Sequence, residues 1–231
     1  MKVLLADDNR EHLDLLQYIF QREGYEVSTA SDGIGAWLSF QNEAPDLLVL
    51  DMQMPKRSGI DVLRAVRSQS RVPVMMLTVL ADEESVVRAL EFGADDYVTK
   101  PFRPAELRAR ARALLRRMLM VQEEFHTFKH RLVCDELVLD SNTRQVTVAG
   151  EPVQLTPTEF SLLHYLMLNS NMVVRTGAIL ENVWGYDADE TDDVVRVSIS
   201  RLRKKIEADP SNPRYILNSP GVGYMLSYEI H

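Results

Sequence analysis

The sequence contains a single cysteine, Cys134, in 231 residues. That excludes an internal disulfide and argues against an all-protein thiolate metal site; the thiol reads as a small buried apolar group. Long hydrophobic runs are missing too. The opening Met1-Lys2-Val3-Leu4-Leu5-Ala6 is cut off by Asp7-Asp8, and nothing approaches the roughly 18 apolar residues that a membrane span needs. The protein is therefore expected to be cytoplasmic, with no membrane partner. Positive charge is in deficit: 26 Lys and Arg stand against 34 Asp and Glu, a formal net charge of −8. Bulk electrostatics do not direct such a chain to nucleic acid, so any such binding must come from a local patch. With 45% hydrophobic and 26% charged residues, the chain is long enough for two modest domains, each with its own core.

The first half alternates short aliphatic segments with helix-like ones. Val3-Leu4-Leu5-Ala6 leads through Asp7-Asp8-Asn9 to a stripe of Leu13, Leu16 and Phe20. Tyr25 to Ser28 follows Gly24, then a helix from about Ile34 to Phe40. Leu47-Leu48-Val49-Leu50, with no polar alternation, suits a strand buried on both faces. A helix opens at Gly59, a fourth strand is expected at Pro73 to Leu77, a helix at Glu83 to Phe92, and a fifth strand at Tyr97 to Thr99. The last helix starts near Pro104 and carries Leu107, Ala111, Leu114 and Met118. Strands and helices in this alternation predict a doubly wound parallel sheet.

The polar residues fall at the ends of those strands. The first ends in Asp7 and Asp8, the third in Asp51, the fourth in Thr78 and the fifth in Lys100. Ligands of open α/β sheets bind outside the carboxyl ends of the strands, so all five converge on one crevice. Three clustered carboxylates repel one another and invite a hard cation, Mg²⁺ above all, while Lys100 suits a phosphate or carboxylate oxygen. Such a set can move a phosphoryl group onto an Asp oxygen. Singly, each residue is more often a helix cap, a strand end or a solvated charge; together they are not well explained by coincidence.

Asp7-Asp8, Asp51 with Met54-Pro55 and Gly59, Thr78, and the run Gly93 to Phe102 resemble the receiver domain of bacterial two-component response regulators, over residues 1 to about 120. The resemblance implies a flavodoxin-like sheet in the order 2-1-3-4-5. That order is a documented one for receiver proteins. It implies that Asp51 accepts phosphate from a sensor histidine kinase. Asp8, Asp51 and the main-chain carbonyl of Gln53 would hold Mg²⁺, with Asp7 acting through water. Thr78 would bond the phosphoryl group, Lys100 would pair with it, and Tyr97 would be the switch aromatic. It also implies a cis Lys100-Pro101 bond. Activated receivers of this kind pair through the fourth helix, fifth strand and fifth helix. Asp96 with Arg110, and Glu91 with Arg112, match the ion pairs of that interface, whereas Val86 stands where a basic partner for Glu106 is often found. Val79, beside Thr78, replaces the usual Ala or Gly.

Residues 121–128 lack both clean periodicity and Pro or Gly richness and are read as a short linker between a domain at 1–120 and one at 129–231. Strand segments at Leu137 to Leu139 and Val146 to Val148 come first, with a turn at Ala149-Gly150-Glu151. A helix carries Phe160, Leu163 and Met167, and a second carries Ile179, Leu180, Val183 and Trp184. In a third, Val195, Ile199, Leu202 and Ile206 form a buried stripe, and Arg196, Arg201, Arg203, Lys204 and Lys205 lie off it. A hairpin turns through Pro220-Gly221-Val222-Gly223. Three helices with the third basic, then a wing, is helix-turn-helix geometry. From Lys129 on there are 10 Lys and Arg against 14 Asp and Glu, a net of −4, so only the local face can bind DNA.

Leu155 to Phe160, Val183-Trp184-Gly185, Val197 to Ile206 and Gly221 to Tyr224 resemble the winged-helix effector domain of the OmpR/PhoB family. The two resemblances together imply a phosphorylation-activated transcriptional regulator. It would dimerise on activation, bind double-stranded DNA at tandem half-sites, engage RNA polymerase, and not be an enzyme. Base reading is expected from Ser198, Arg201 and Lys205, and phosphate contact from Arg203 and Lys204. Two other readings are weighed. A stand-alone Asp-nucleophile phosphohydrolase lacks its second acid, since Gln53 fills that position. A constitutive DNA-binding regulator would use the receiver only to dimerise, and the intact set of Asp7, Asp8, Asp51, Thr78 and Lys100 speaks against it.

Overall fold

Aliphatic runs without polar alternation become strands covered on both faces. Leu47–Asp51, here β3, is buried at every position, and Val3, Leu4, Leu5 and Ala6 of β1 (Lys2–Ala6) are fully buried. The computed structural model describes residues 1–79, 83–119, 130–185 and 192–228, so the expected linker at 121–128 lies outside the described residues. The chain divides into two compact units, Met1–Leu115 and Arg116–His231.

In the first unit β2 (Glu26–Ala30), β4 (Val74–Val79) and β5 (Asp96–Lys100) join β1 and β3 in a parallel sheet of order β2-β1-β3-β4-β5. The helices are α1 (Arg10–Arg22), α2 (Gly33–Glu43), α3 (Gly59–Gln69), α4 (Glu83–Glu91) and α5 (Pro104–Leu119). One cluster packs Leu13, Leu16 and Phe20 of α1 and Leu107, Ala111 and Leu114 of α5 against Val3, Leu5, Val49 and Leu77. Asn9 caps α1, accepting from the amides of Glu11 and His12, a contribution of about 1 kcal/mol. At the entry ends of β4 and β5 a single guanidinium ties three segments. Arg67 donates to the Gly93 carbonyl at 2.8 Å, the Val72 carbonyl at 2.6 Å and Asp95 Oδ2 at 2.7 Å, and the same Asp95 oxygen accepts from the Val74 amide at 3.0 Å.

The second unit opens with an antiparallel sheet of β6 (Arg131–Cys134), β7 (Leu137–Asp140), β8 (Gln145–Val148) and β9 (Glu151–Pro152). Ala149 and Gly150, at φ 51° and 84°, form the two-residue loop between β8 and β9, the left-handed pair that a tight hairpin demands. Three helices follow: α6 (Pro157–Leu168), α7 (Thr176–Ile179) continued by a π-helical turn at Leu180–Trp184, and α8 (Asp192–Ile206). A second sheet, β10-β12-β11, joins β10 (Val174–Arg175) to the hairpin of β11 (Ile216–Ser219) and β12 (Gly223–Leu226). At Gly223 a Cβ would lie 2.0 Å from the Val174 carbonyl oxygen, so the close approach of β10 to the wing requires glycine.

The structure adds β6, β9 and β10 to the strands that periodicity indicates. β9 and β10, at two residues each, are too short for alternation to register. The second helix also differs from a plain α-helix. The Gly185 amide is shared between the carbonyls of Leu180 at 3.1 Å and Glu181 at 2.8 Å. This widened turn accompanies full burial of Leu180 and Trp184 and near-full burial of Val183.

Candidate phosphoryl-transfer and nucleic-acid sites

The parallel order of the first sheet carries the ends of β1, β3, β4 and β5 to one rim. Asp7 is fully buried, Asp51 is 5% exposed and Asp8 faces solvent. One oxygen from each of the three carboxylates lies within 4.8 Å of the others. Lys100 Nζ sits between two of them, 2.7 Å from Asp7 Oδ2 and 2.9 Å from Asp51 Oδ2. The Asn9 amide donates to Asp7 Oδ1 at 2.9 Å, and the Gln53 amide lies 3.4 Å from Asp51 Oδ1. Oxygen donors only, gathered around an acidic centre that one ammonium cannot neutralise, fit Mg²⁺.

Thr78 is buried with its hydroxyl donating to the adjacent Val79 carbonyl at 3.4 Å, a long bond that is easily exchanged for a better acceptor. A cleft beside Asp51 is lined by Met52, Gln53, Ile60, Thr78, Val79 and Ser85. Val79 stands there with 55% of its surface exposed. Tyr97 is half-buried on β5, and the Lys100-Pro101 bond is cis. Sequence reasoning passed over three residues near the acids. Ile60 and Ser85 carry no pattern of their own. His12 Nδ1 lies 3.3 Å from both Asp7 oxygens, with its ring edge-on to Phe102; its position three residues after the cap Asn9 was the available signal.

Burial pushes the Asp51 carboxyl above the ordinary carboxylate range, against the pull of Lys100. A raised folded value means that this group's stabilising share is fully present below the unfolded value and is lost as pH rises through the folded one. Asp51→Asn is therefore expected to resist urea better than the wild type at neutral pH, and the advantage should vanish in acid. Paired urea titrations at the two pH values check it, and a variant less stable at neutral pH would contradict it.

Four of the residues expected at a dimer face, Asp96, Glu106, Arg110 and Arg112, are engaged within their own chain. Arg110 Nη1 lies 3.2 Å from Asp96 Oδ1 and Nη2 lies 2.9 Å from Glu106 Oε1, so Glu106 has a basic partner. Arg112 Nε donates to Glu23 at 2.8 Å. Val86 is buried, and Glu91 is exposed.

On α8 the anticipated stripe of Val195, Ile199, Leu202 and Ile206 is buried, but the buried arc is wider and takes in Val194, Val197, Ser198 and Arg201. Ser198 is 2% and Arg201 8% exposed, which turns two of the expected base readers into the domain. Arg201 Nη2 lies 2.8 Å from Glu159 Oε1, and Lys205 Nζ lies 2.5 Å from Glu159 Oε2 and 3.0 Å from the Gln154 carbonyl. Arg203 donates twice to the Ile216 carbonyl, at 2.9 and 2.6 Å, tying the helix to the wing. The outer arc holds exposed Arg196, Ser200 and Lys204, with half-buried Arg203 beside them. Ser200 was not among the residues expected there. Arg196 reaches Asp193, one turn before it.

Residues 3–112 match the response regulator receiver domain, and residues 150–226 match the C-terminal domain of transcriptional regulatory proteins. The chain is 44% identical over 231 residues to "Probable transcriptional regulator ycf27" of Galdieria sulphuraria, covering 97% of this chain and 89% of the relative. Among solved structures it is similar to response regulator DrrB of Thermotoga maritima, an OmpR/PhoB homologue, at 34% identity, 98% coverage of both chains and a TM-score of 0.51. It is also similar to a mutant of RitR, at 25% identity, 99% coverage of both and a TM-score of 0.77. A parallel 2-1-3-4-5 sheet with acids on its carboxyl rim, followed by a winged helix whose third helix carries an outward basic arc, agrees with these matches along almost the whole sequence: the chain belongs to the OmpR/PhoB-type response regulators, receiver domain first and DNA-binding transcriptional regulatory domain second.

Proposed function

We propose that Asp51 accepts a phosphoryl group from a sensor histidine kinase and that this converts the protein to its DNA-binding, dimeric form. The observation that carries the reading is the meeting of Asp7, Asp8, Asp51 and Lys100 on one rim. An Asp51 oxygen forms the new bond to phosphorus while the bond from phosphorus to the donor nitrogen breaks, its electron pair staying on the nitrogen. Mg²⁺, held by Asp8, Asp51 and the Gln53 carbonyl with Asp7 behind, would supply charge neutralisation on the phosphoryl oxygens. Lys100 exchanges its carboxylate contact for a phosphoryl oxygen, and Thr78 gives up its long bond to donate to another.

Pairing of receivers through α4, β5 and α5 then requires Arg110 and Arg112 to trade partners held in-chain for partners across the interface. The solvent-exposed Arg112 pair contributes only about 0–1 kcal/mol, whereas Arg110 and Asp96 are both buried, so the exchange at Arg110 is the costly step that phosphate must drive. Two effector domains on half-sites about 10–11 base pairs apart gain affinity through each other. Contact with DNA falls on Arg196, Ser200, Arg203 and Lys204; RNA polymerase is the downstream partner, and the cytoplasm the place of action.

The test compares wild type, untreated or treated with a small phosphodonor and Mg²⁺, on a selected tandem site and on one half-site. Phosphorylation is expected to tighten tandem binding by about 10²-fold and single-site binding far less. Equal tandem affinity before and after treatment would favour a constitutive regulator instead.

A further inference from the structure

Among the charged groups of the effector unit, Glu159 alone has two α8 cations on one buried carboxylate among the described residues. We propose that Glu159 is a positioning residue for DNA recognition: it retains Arg201 and Lys205 against the domain so that DNA meets only the arc of Arg196, Ser200, Arg203 and Lys204. The inference rests on α8 being the DNA-facing helix.

Glu159 is 1% exposed and sits in the first turn of α6, where its own backbone fixes it. Thr156 caps the helix and bonds the Glu159 amide, and Glu159 Oε2 accepts in return from the Thr156 amide at 2.8 Å. A carboxylate locked in a capping box at a helix N-terminus is further favoured there by the helix dipole. It cannot follow Arg201 or Lys205 if they swing outward. Stripping cations from a buried carboxylate costs more than an exposed phosphate contact returns, because the remaining charge is left desolvated and unpaired. Arg201 is itself 8% exposed, and Lys205 has a second tether on the Gln154 carbonyl. Five basic residues of α8 therefore present fewer than five charges to a ligand. Arg203 differs, since its partner Ile216 contributes only a neutral carbonyl and leaves its charge in place.

The consequence is read in the dependence of DNA affinity on salt, whose log–log slope counts neutralised phosphates at about −0.9 each. The unphosphorylated full chain is titrated by fluorescence anisotropy against a mixed-sequence duplex over a range of salt, with the thermal melting of each variant recorded. Lys204→Met is expected to flatten the slope by about one unit, whereas Lys205→Met should run parallel to the wild type. Glu159→Gln keeps the volume and the capping bond but not the charge; it should steepen the slope by about one to two units as Arg201 and Lys205 are released. A simple loss of fold would lower affinity without steepening the line. If Glu159→Gln does not fold, the Lys205→Met line decides alone. A Lys205→Met slope as flat as that of Lys204→Met, or a folded Glu159→Gln running parallel to the wild type, overturns the proposal. Should Lys204→Met and Arg196→Ala both leave the slope unchanged, the outer arc of α8 does not face DNA, and the inference falls together with that reading.

Discussion

Asp51→Asn is expected to take up no phosphoryl group from a small phosphodonor with Mg²⁺, where the wild type takes up one. The amide is close to isosteric with the carboxylate, so the site should survive; what it lacks is the anionic oxygen that forms the bond to phosphorus. Lys100 would keep its 2.7 Å contact with Asp7 and lose only the one with residue 51. Lys100→Ala removes the cation common to both carboxylates, leaving Asp7 and Asp51 to repel each other across a site that must also admit an anionic phosphoryl group. It should label far more slowly or yield a group without a readout on DNA. Asp8→Ala takes away the solvent-facing member of the acidic set and should weaken Mg²⁺ dependence most directly. Intact mass spectrometry after timed exposure separates these cases. Undiminished incorporation into Asp51→Asn would place the acceptor elsewhere and end the account of the rim given above.

Gly59→Ala is expected to lower the stability of the receiver by about 2–4 kcal/mol, although the residue opens a helix where alanine is otherwise favoured. A Cβ there would lie 1.9 Å from the Asp51 carbonyl oxygen, 2.9 Å from its carbon and 3.1 Å from Met52 Cα. All three are backbone atoms at the end of a strand buried on both faces, and the Gly59 amide donates to the Met52 carbonyl at 3.0 Å. No side chain can move aside, so relief requires displacing α3 from Asp51. Gly35→Ala is the contrasting case. Its Cβ would meet nothing closer than 3.6 Å inside α2, and it should stabilise by about 0.5–1 kcal/mol through the unfolded chain. Denaturant midpoints for the two variants are expected to move in opposite directions. A Gly59→Ala midpoint equal to the wild type would mean that α3 is looser against β3 than these distances allow.

The receiver was largely legible because its chemistry sits where local pattern changes abruptly. Each candidate polar residue lies at the end of an aliphatic run, and parallel topology brings Asp7, Asp8, Asp51 and Lys100 to one rim. The effector was legible in outline and not in detail. The stripe Val195, Ile199, Leu202, Ile206 fixes one direction on α8, but how wide an arc is covered depends on the elements packed on either side of it. That is why Ser198 and Arg201, off the apolar stripe, end up inside. Glu159 explains Arg201 further: a buried carboxylate 42 positions earlier offers a buried guanidinium its partner, and no periodicity links the two. The in-chain partners of Arg110 and Arg112 escaped notice for a related reason. A residue suited to pair across an interface is equally suited to pair at home, and sequence does not rank the two.

The two rims of the receiver sheet are mechanically unlike. At the entry rim, Arg67 knots the approaches to β4 and β5 through three charge-assisted bonds, with Asp95 also holding the first amide of β4. At the opposite rim the same two strands carry Thr78, with its long, replaceable bond, and Lys100, whose partners are the Asp7 and Asp51 carboxylates. The strands themselves stay paired to their last residues, Thr78 with Thr99 and Val79 with Lys100, so what can change at this rim is the side-chain partner and not the ladder.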